Sequence, residues 1–502
     1  MDEVSRARIR VFLNDPAARG QRAVSADAPI DTEQRPWAFR IEGKAPPPRL
    51  YPPDTPEFLH WQIVAALARG RSLWSRLLPR AGTWVRGAVL PVVPIEGDGL
   101  NAYYDRKALH FFRDVNQSTG EVVQSGDSPD VVTHEQGHAV LDAFRPDLWD
   151  APHFEVAAFH EGFGDIAAIL VALEETDLTR AAIRETEGSL DHSNLVSRLA
   201  EELAAAVIAR YGPDAALPDA LRDAVNPFHY QSPRLLPDEA AADALSREPH
   251  SFCRVVTGAC WDVLARLSIP VEGQDPLAAV QQAARKVGAL VTAAAEGAAS
   301  GATFFRRFAA GLRRAAAHDE TARAAVEEAL AARGLGQPGD DAPRDRSEIL
   351  ADAGLGPEPL TTRLLDALRE RLGASRDEEM LVRPSFGGGE LQGRRPRDLF
   401  LSGPEYGPAD GAAVEISDSF TVAVNESGSV AASRVEIAGM EEEEDAREFV
   451  RTLARSDHIA DASDGPPDVI RLYREGRSHF VARESDGVRR VRRAWISGGN
   501  GI

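Results

Sequence analysis

The stretch DVVTHEQGHAVLDAF, residues 130–144, carries two histidines four positions apart and a glutamate directly after the first. In a helix of 3.6 residues per turn, His134 and His138 project from one face, close enough to bind one small cation. Glu135 lies beside this pair and is angled away from it. The stretch therefore predicts either a metal site or a helix that carries two histidines by chance.

A second stretch, AFHEGFGDIAAIL at residues 158–170, supplies the third ligand that two histidines alone would lack. Catalytic zinc usually takes three protein ligands and leaves a fourth position for water. Glu161 and Asp165 share a helix face, so Glu161 is the expected third ligand and Asp165 the expected acceptor for the free ring N–H of His134. Glu135 is then the general base for a zinc-activated water. The linked HExxH and ExxxD motifs predict a site for one zinc ion.

These two motifs resemble those of the thermolysin-like metallopeptidases, gluzincins whose zinc ligands are two histidines and a glutamate. The resemblance covers about residues 83–335, roughly half the chain, and includes the last helices of the family's catalytic domain. It implies a two-lobed catalytic domain of the α+β class, with a β-rich N-lobe that carries the zinc helix and a helical C-lobe. His160 stands where the family usually has asparagine.

Three further segments are similar to those of the family, and each implies a role. NAYY at residues 101–104 resembles the edge strand, which implies that Asn101 and the Ala102 backbone hold the main chain of the substrate. ALRDAVNP resembles a segment in which Arg222 would bind a substrate carbonyl and help to order the site. PHSFCRVVTGACWDVL resembles the segment that would make His250 a stabiliser of the oxyanion.

The sequence also departs from the family pattern. Pro152 stands where the family has a tyrosine that acts as a second oxyanion donor. The acidic residue expected to begin a paired calcium site falls at Ala172, and Asp130 alone cannot make such a site, so the sequence does not predict calcium. The secretion signal and long propeptide of the family are not found.

Composition limits the partners. The 502 residues have a formal net charge of −21 and a pI near 5.1, which opposes binding to nucleic acid or to an anionic membrane. Cys253 and Cys260 are too few for a disulfide framework, and we expect both on one buried helix face without a redox role. With no signal-like or membrane-spanning run, a cytoplasmic location is expected, although non-classical export would leave the same sequence.

The patterns along the chain predict four parts. Residues 1–82 are an N-terminal appendage, 83–345 the peptidase domain, 346–374 a linker with one helix, and 375–502 a small β-rich or α+β module of unknown role. Strands are predicted between residues 83 and 114, and helices dominate from about 131 to 335. The run MEEEED is expected to begin a helix in the last part.

The function predicted from these residues is zinc-dependent cleavage of internal peptide bonds in a peptide or protein substrate. A zinc aminopeptidase is the second hypothesis, since HEGFG also resembles the NEGFA segment of that gluzincin branch. Against it, the sequence has no GxMEN-type segment ahead of the zinc helix. A third hypothesis is a zinc scaffold that binds a partner through its C-terminal module. The oligomeric state does not follow from the sequence.

Overall fold

The structure is a computed structural model that describes residues 7–79, 81–336, 369, 374–375, 380–384, 390–424, 430–461 and 467–497. It contains both helices and strands, which confirms the predicted α+β class. The helices of the described chain, α1 to α12, span Pro56–Leu77, Pro129–Phe144, Phe154–Glu174, Thr176–Glu185, Glu201–Tyr211, Pro249–Phe252, Arg254–Leu267, Pro276–Gly297, Phe304–Ala316, Glu320–Ala332, Met440–Arg455 and Val469–Arg474.

The strands fall into one five-stranded sheet, one seven-stranded sheet and three short pairs. In chain order, β1 to β18 span Arg8–Val11, Val24–Asp27, Ala38–Ile41, Val89–Val93, Ala102–Tyr104, Leu109–Phe111, Arg113–Val115, Val122–Gln124, Arg198–Leu199, Arg222–Asp223, Leu381–Pro384, Glu390–Phe400, Ala413–Val424, Val430–Glu436, Ile459–Asp461, His479–Arg483, Arg489–Arg493 and Ile496–Ser497.

The five-stranded sheet lies beside the histidine helix and has the order β18-β5-β6-β4-β3. Strands β4, β5 and β6 confirm the strands predicted between residues 83 and 114. Strand β3 pairs parallel with β4, and β18 pairs antiparallel with β5. The two outer strands thus come from distant parts of the chain, which local patterns do not reveal.

A single large hydrophobic core joins the N-terminal residues to the helical region. It runs from Ile9 to Leu335 and includes Trp74 of α1, whose ring stacks on Phe163 of α3 at 5.5 Å. The core is therefore continuous across residue 82, where a domain boundary was predicted, because α1 and β3 pack against elements far along the chain. The boundary near 345 and the helix predicted within 346–374 lie outside the described residues, apart from a few positions.

Helices α2 and α3 pack against each other within this core. Helix α2 begins where the Ser128 side chain accepts the backbone N–H of Val131, with Pro129 at the first position. Of the described helices, α3 is the one long and apolar enough to cross a membrane, and all of that span is buried inside the protein. The core position of α3 accounts for its apolar character.

The C-terminal part forms the seven-stranded sheet with α11 and α12, as predicted for a β-rich or α+β module. Helix α11 begins at Met440 and carries Glu441, Glu442 and Glu443 in its first turn, where the helix dipole favours acidic side chains. This confirms that MEEEED begins a helix. The module has its own apolar core, which Phe154 of α3 enters against Phe449 at 5.3 Å.

Candidate metal centre

Helices α2 and α3 bring together His134, His138 and Glu161, which form a buried group that could hold a metal ion. The Nε2 atom of His134 lies 3.3 Å from Glu161 Oε2, and the Nε2 atom of His138 lies 3.7 Å from Glu161 Oε1. In a tetrahedral zinc site with bonds of about 2.1 Å, neighbouring ligand atoms lie ~3.4 Å apart. The three side chains therefore have the spacing of ligands around one ion.

The chemistry of the donors also suits a cation. Neither ring nitrogen of His138 has a hydrogen-bond partner among the described residues, although the side chain is fully buried. An unsatisfied buried imidazole is costly unless something else binds it. Burial lowers the pKa of His138 well below its usual value, and the nearby His134 lowers it further. The neutral imidazole is the form that binds metals.

Asp165 orients one of these histidines. Its Oδ1 lies 3.0 Å from His134 Nδ1, as predicted for the acceptor of the free ring N–H. Burial alone would lower the pKa of His134, but its hydrogen bonds to Asp165 and Glu161 raise it to about 9. In this arrangement His134 Nε2, rather than Nδ1, faces Glu161 and the metal position.

Arg222, at the start of β10, binds the same carboxylate, that of Asp165. Its Nε and terminal nitrogen donate to the Asp165 carboxylate at 3.0 and 2.7 Å. Burial would raise the pKa of Asp165, but the charge of Arg222 and the hydrogen bond from His134 hold it below its usual value. Arg222 was predicted to bind a substrate carbonyl and to help order the site; in this structure its guanidinium binds the aspartate that orients His134.

Glycines allow α2 and α3 to approach so closely. A Cβ atom on Gly164 would lie 2.6 Å from Cε1 and 2.8 Å from Nε2 of His134, so any side chain there would displace the ring. On Gly137 it would lie 2.8 Å from Cβ of Ala167 in the opposite helix. The small residues of HEQGH and HEGFGD therefore bring the ligands into contact range.

Glu135, the predicted general base, is completely buried on α2. The hydroxyl of Tyr473 on α12 forms a hydrogen bond with Asn101. Burial raises the pKa of Tyr473, and the negative charge of Glu135 adds to the rise. The C-terminal module thus brings a phenol into hydrogen-bond contact with Asn101, within range of the charge of Glu135, and no local sequence pattern predicts this contact.

His250, at the start of the short helix α6, also reaches the group. Its Nε2 lies 3.2 Å from Glu161 Oε2, and its Nδ1 lies 2.5 Å from Oε1 of Glu248. Burial would lower the pKa of His250, but the charges of Glu161 and Glu248 raise it to about 9. The same Nε2 lies 2.6 Å from the carbonyl oxygen of Ser497, which can only accept, so Nε2 carries a hydrogen and donates it there.

The residues predicted to hold substrate lie at the edge of the five-stranded sheet. Asn101 is buried, and its side-chain oxygen accepts the backbone N–H of Ala102. Ala102 begins β5. The outer edge of β5 pairs with β18, a strand of the same chain. The predicted substrate edge and the C-terminal end of the described chain are therefore in direct contact.

The C-terminal module supplies other groups near the centre that sequence reasoning missed. Burial lowers the pKa of Arg493 to about 10, against the opposing charges of Asp150 and Glu161. Burial and then the charge of Arg493 lower the pKa of His160. His153, next to Pro152, instead pairs with Asp445 of the module at 3.0 Å. The arginine thus brings a positive charge close to a proposed ligand, Glu161.

A second acidic group surrounds Asp130 at the start of α2. Oxygen atoms of Asp15, Asp130 and Glu201 lie within 4.8 Å of one another, so the premise that Asp130 stands alone is wrong. The Oδ2 atoms of Asp15 and Asp130 have no hydrogen-bond partner among the described residues. Burial, and then the charges of the neighbouring carboxylates, raise the pKa values of Asp130 and Glu201 well above their usual range. Clustered oxygen donors of this type suit a hard cation such as Ca²⁺.

In comparisons with known proteins, no family model matches the chain and no curated protein matches its sequence.

Proposed function

We propose that the chain is a zinc-dependent endopeptidase with thermolysin-like lobes, acting on a peptide or protein substrate. The observation that carries this proposal is the buried group of His134, His138 and Glu161 at tetrahedral spacing, with Asp165 behind it. When bound there, zinc would polarise a carbonyl group and lower the pKa of a water molecule. Strand β5 pairs with the extended segment β18 at its outer edge, and an extended peptide would use the same backbone groups in place of β18.

Four residues of the chain each have a separate role in the proposed reaction. Glu135 takes a proton from the attacking water and later gives it to the leaving amine. His250 donates its Nε2–H to the carbonyl oxygen as that oxygen gains negative charge. Asp165 and Arg222 keep His134 in the orientation that binds metal. Each group is buried, and a water-poor site strengthens these electrostatic effects.

Cleavage inside a peptide, rather than at its amino end, is favoured by the shape of the edge. Strand β18 lies along β5 with residues on the amino side of Ser497, the residue whose carbonyl contacts His250. An aminopeptidase needs that side closed around a free amino group. Along β5, by contrast, the chain of β18 continues on the amino side of Ser497, so this side is not closed around a free amino group.

The test is Glu135→Gln, which keeps the size of the side chain and removes the base. We expect the variant to bind one zinc ion, measured by elemental analysis, and to lose at least ~100-fold of kcat on internally quenched peptides with blocked ends. Glu174→Gln, at the far end of α3 where Glu174 pairs with Arg76, serves as the matched control with normal activity. Full activity of Glu135→Gln with zinc bound would refute the mechanism, and cleavage of free-amino substrates alone would favour the aminopeptidase.

A further inference from the structure

Strand β18 leaves the C-terminal module and joins the sheet of the metal-binding domain. Strand β17 belongs to the seven-stranded sheet, and β18 follows it after two connecting residues. Ile496 then pairs with Tyr104 and Ser497 with Tyr103, antiparallel to β5. A strand of the chain itself therefore occupies the edge at which an extended peptide substrate would bind.

Contacts to both parts of the protein hold this strand. The side chain of Ile496 is buried in the large core, and the indole N–H of Trp495 donates to the carbonyl oxygen of Arg477 in the module at 3.1 Å. Just ahead of them, the backbone N–H of Arg493 donates to Asp150, between α2 and α3, at 2.9 Å. The pairing of β18 with β5 is thus one part of an interface between the module and the metal-binding domain.

The same strand engages the proposed oxyanion donor. His250 Nε2–H donates to the Ser497 carbonyl oxygen at 2.6 Å, and the same nitrogen lies 3.2 Å from Oε2 of the proposed ligand Glu161. Ser497 itself is buried. The Ser497 carbonyl therefore takes up the hydrogen-bond donor that the carbonyl of a bound substrate would need.

A second element of the module covers the residue predicted to hold the substrate main chain. Tyr473 of α12 forms a hydrogen bond with Asn101. The ring of Tyr473 also lies 4.9 Å from that of Tyr103 on β5, 4.7 Å from Phe112 and 5.4 Å from Trp495. This aromatic cluster joins the module to β5 beside Asn101. The module thus engages Asn101 as well as the edge of β5 and His250.

The proposed catalytic centre is closed to a peptide in this structure. Glu135 and His138 are fully buried, and Glu161 is only 3% exposed. Hydrolysis requires the backbone of the substrate to reach the general base and the metal position. Helices α2 and α3 are held in the large core, whereas the module has an apolar core of its own. The module is therefore the part of the covering structure that can be displaced as a unit.

We propose that the C-terminal module is an internal inhibitor of the peptidase, with β18 seated on β5 in place of substrate until the module is displaced. This inference rests on the proposed peptidase function. A peptide competes with β18 for the same groups, so the docked module raises the apparent KM by the inverse of the undocked fraction and leaves kcat unchanged. Because the inhibitor belongs to the same chain, the degree of inhibition is independent of protein concentration.

Trp495→Ala loosens the strand without changing a proposed catalytic group. It removes the ring contact with Tyr473 and the hydrogen bond to Arg477. On quenched peptides with blocked ends, we expect an apparent KM at least ~tenfold below that of the wild type and an unchanged kcat. Phe400→Ala, which removes an exposed ring of β12 in the same module, is the matched control with wild-type kinetics. A fall in kcat of Trp495→Ala at normal zinc content would give the module a catalytic role and overturn the proposal.

A disulfide across the strand pair makes the opposite change. Tyr103 and Ser497 are directly opposite each other in the antiparallel pair, where Cβ atoms are close enough for a disulfide. Tyr103→Cys combined with Ser497→Cys therefore ties β18 to β5 when oxidised. We expect the oxidised, zinc-loaded protein to cleave quenched peptides at least ~tenfold more slowly than the same protein after reduction, which is its own control. Equal rates in the two forms, with the disulfide confirmed by mass and equal zinc content, would overturn the proposal.

The same assay separates failure of the inhibitor from failure of the proposed function. If the wild type, Trp495→Ala and the oxidised double variant cleave peptides with equal kinetics, the internal inhibitor is refuted and the proposed function stands. If zinc is bound and none of these proteins cleaves any peptide, even after reduction of the disulfide, the peptidase function is refuted, and the inhibitor with it. A specific activity of the wild type that rises on dilution would assign the inhibition to a second copy of the chain and overturn the proposal.

Discussion

Asp165 binds His134 and Arg222 at once, with its Oδ1 3.0 Å from His134 Nδ1 and 2.7 Å from the guanidinium. The carboxylate is fully buried, so both partners are needed to offset its loss of hydration. This contact couples the orientation of a proposed metal ligand to a residue on β10, 57 positions further along the chain than Asp165.

Asp165→Asn tests this coupling. The amide is no longer an anionic acceptor for both partners, so His134 loses its fixed orientation, and zinc affinity is expected to fall 10- to 100-fold. Competition with a chromogenic chelator measures the change. Asp262→Asn is the matched control, since Asp262 forms a similar fork with Arg333 away from the centre. The control is expected to lower Tm without changing zinc affinity; an equal loss of affinity in both variants would show a general effect of stability.

Gly164→Ala tests the close approach of the two helices. The added methyl group would lie 2.6 Å from the His134 ring, so the ring or a helix must move. We expect zinc affinity to fall at least tenfold and the free energy of unfolding to fall by about 1–3 kcal/mol, the usual cost of overpacking. Gly297→Ala is the control, because the nearest atom to a Cβ there belongs to the mobile end of Arg314 at 3.6 Å. Unchanged zinc binding in Gly164→Ala would contradict the proposed packing.

The local part of this centre could be predicted from the sequence. His134 and His138, and likewise Glu161 and Asp165, are four residues apart, and helical periodicity alone puts each pair on one face. The predicted strands around Ala102 and the buried cysteines follow from equally local patterns. The contact of His134 with Asp165 was predicted from the chemistry of histidine ligands and is found at 3.0 Å.

What could not be predicted depends on pairing between distant segments. Tyr473 and Ser497 come from the C-terminal module, and Asp15 comes from residues that had been assigned to an appendage. Neither hydrophobic period nor spacing carries information about which distant segment covers a given face. Arg222 shows the same limit: its residue type suits a carbonyl or a carboxylate, and only the fold brings it to Asp165.

The acidic group of Asp15, Asp130 and Glu201 predicts a pH dependence of stability. Burial raises their pKa values in the folded protein, and for Asp130 and Glu201 the neighbouring carboxylates add to the rise. The stability that their protonated forms contribute is therefore fully present below the unfolded pKa of about 4 and is lost as the pH rises through the higher folded pKa values. Glu201→Gln removes one titrating group. Between pH 5 and pH 8 its free energy of unfolding should therefore fall less than that of the wild type, by on the order of 1 kcal/mol.

Calcium gives the companion measurement on the same variant. A divalent ion bound by the three carboxylates would offset their repulsion. Calcium chloride at about 5 mM, roughly tenfold above the dissociation constant of a weak site, should therefore raise the wild-type Tm more at pH 8 than at pH 5. The gain should be smaller in Glu201→Gln. Denaturation curves that show the same pH slope for both proteins, with and without calcium, would contradict the interaction among these carboxylates.

His250→Gln separates stabilisation of the developing oxyanion from substrate binding. Glutamine is close in size to histidine but places a weaker, neutral donor near the carbonyl that Nε2–H now contacts at 2.6 Å. Since that hydrogen bond strengthens as the carbonyl oxygen gains charge, kcat on quenched peptides should fall about 10²–10³-fold while KM changes little. His192→Gln is the matched control, because the His192 side chain is 74% exposed and pairs with Asp191. Zinc content should be equal in both variants. A rise in KM at constant kcat would instead assign His250 to ground-state binding of the chain that now occupies β5.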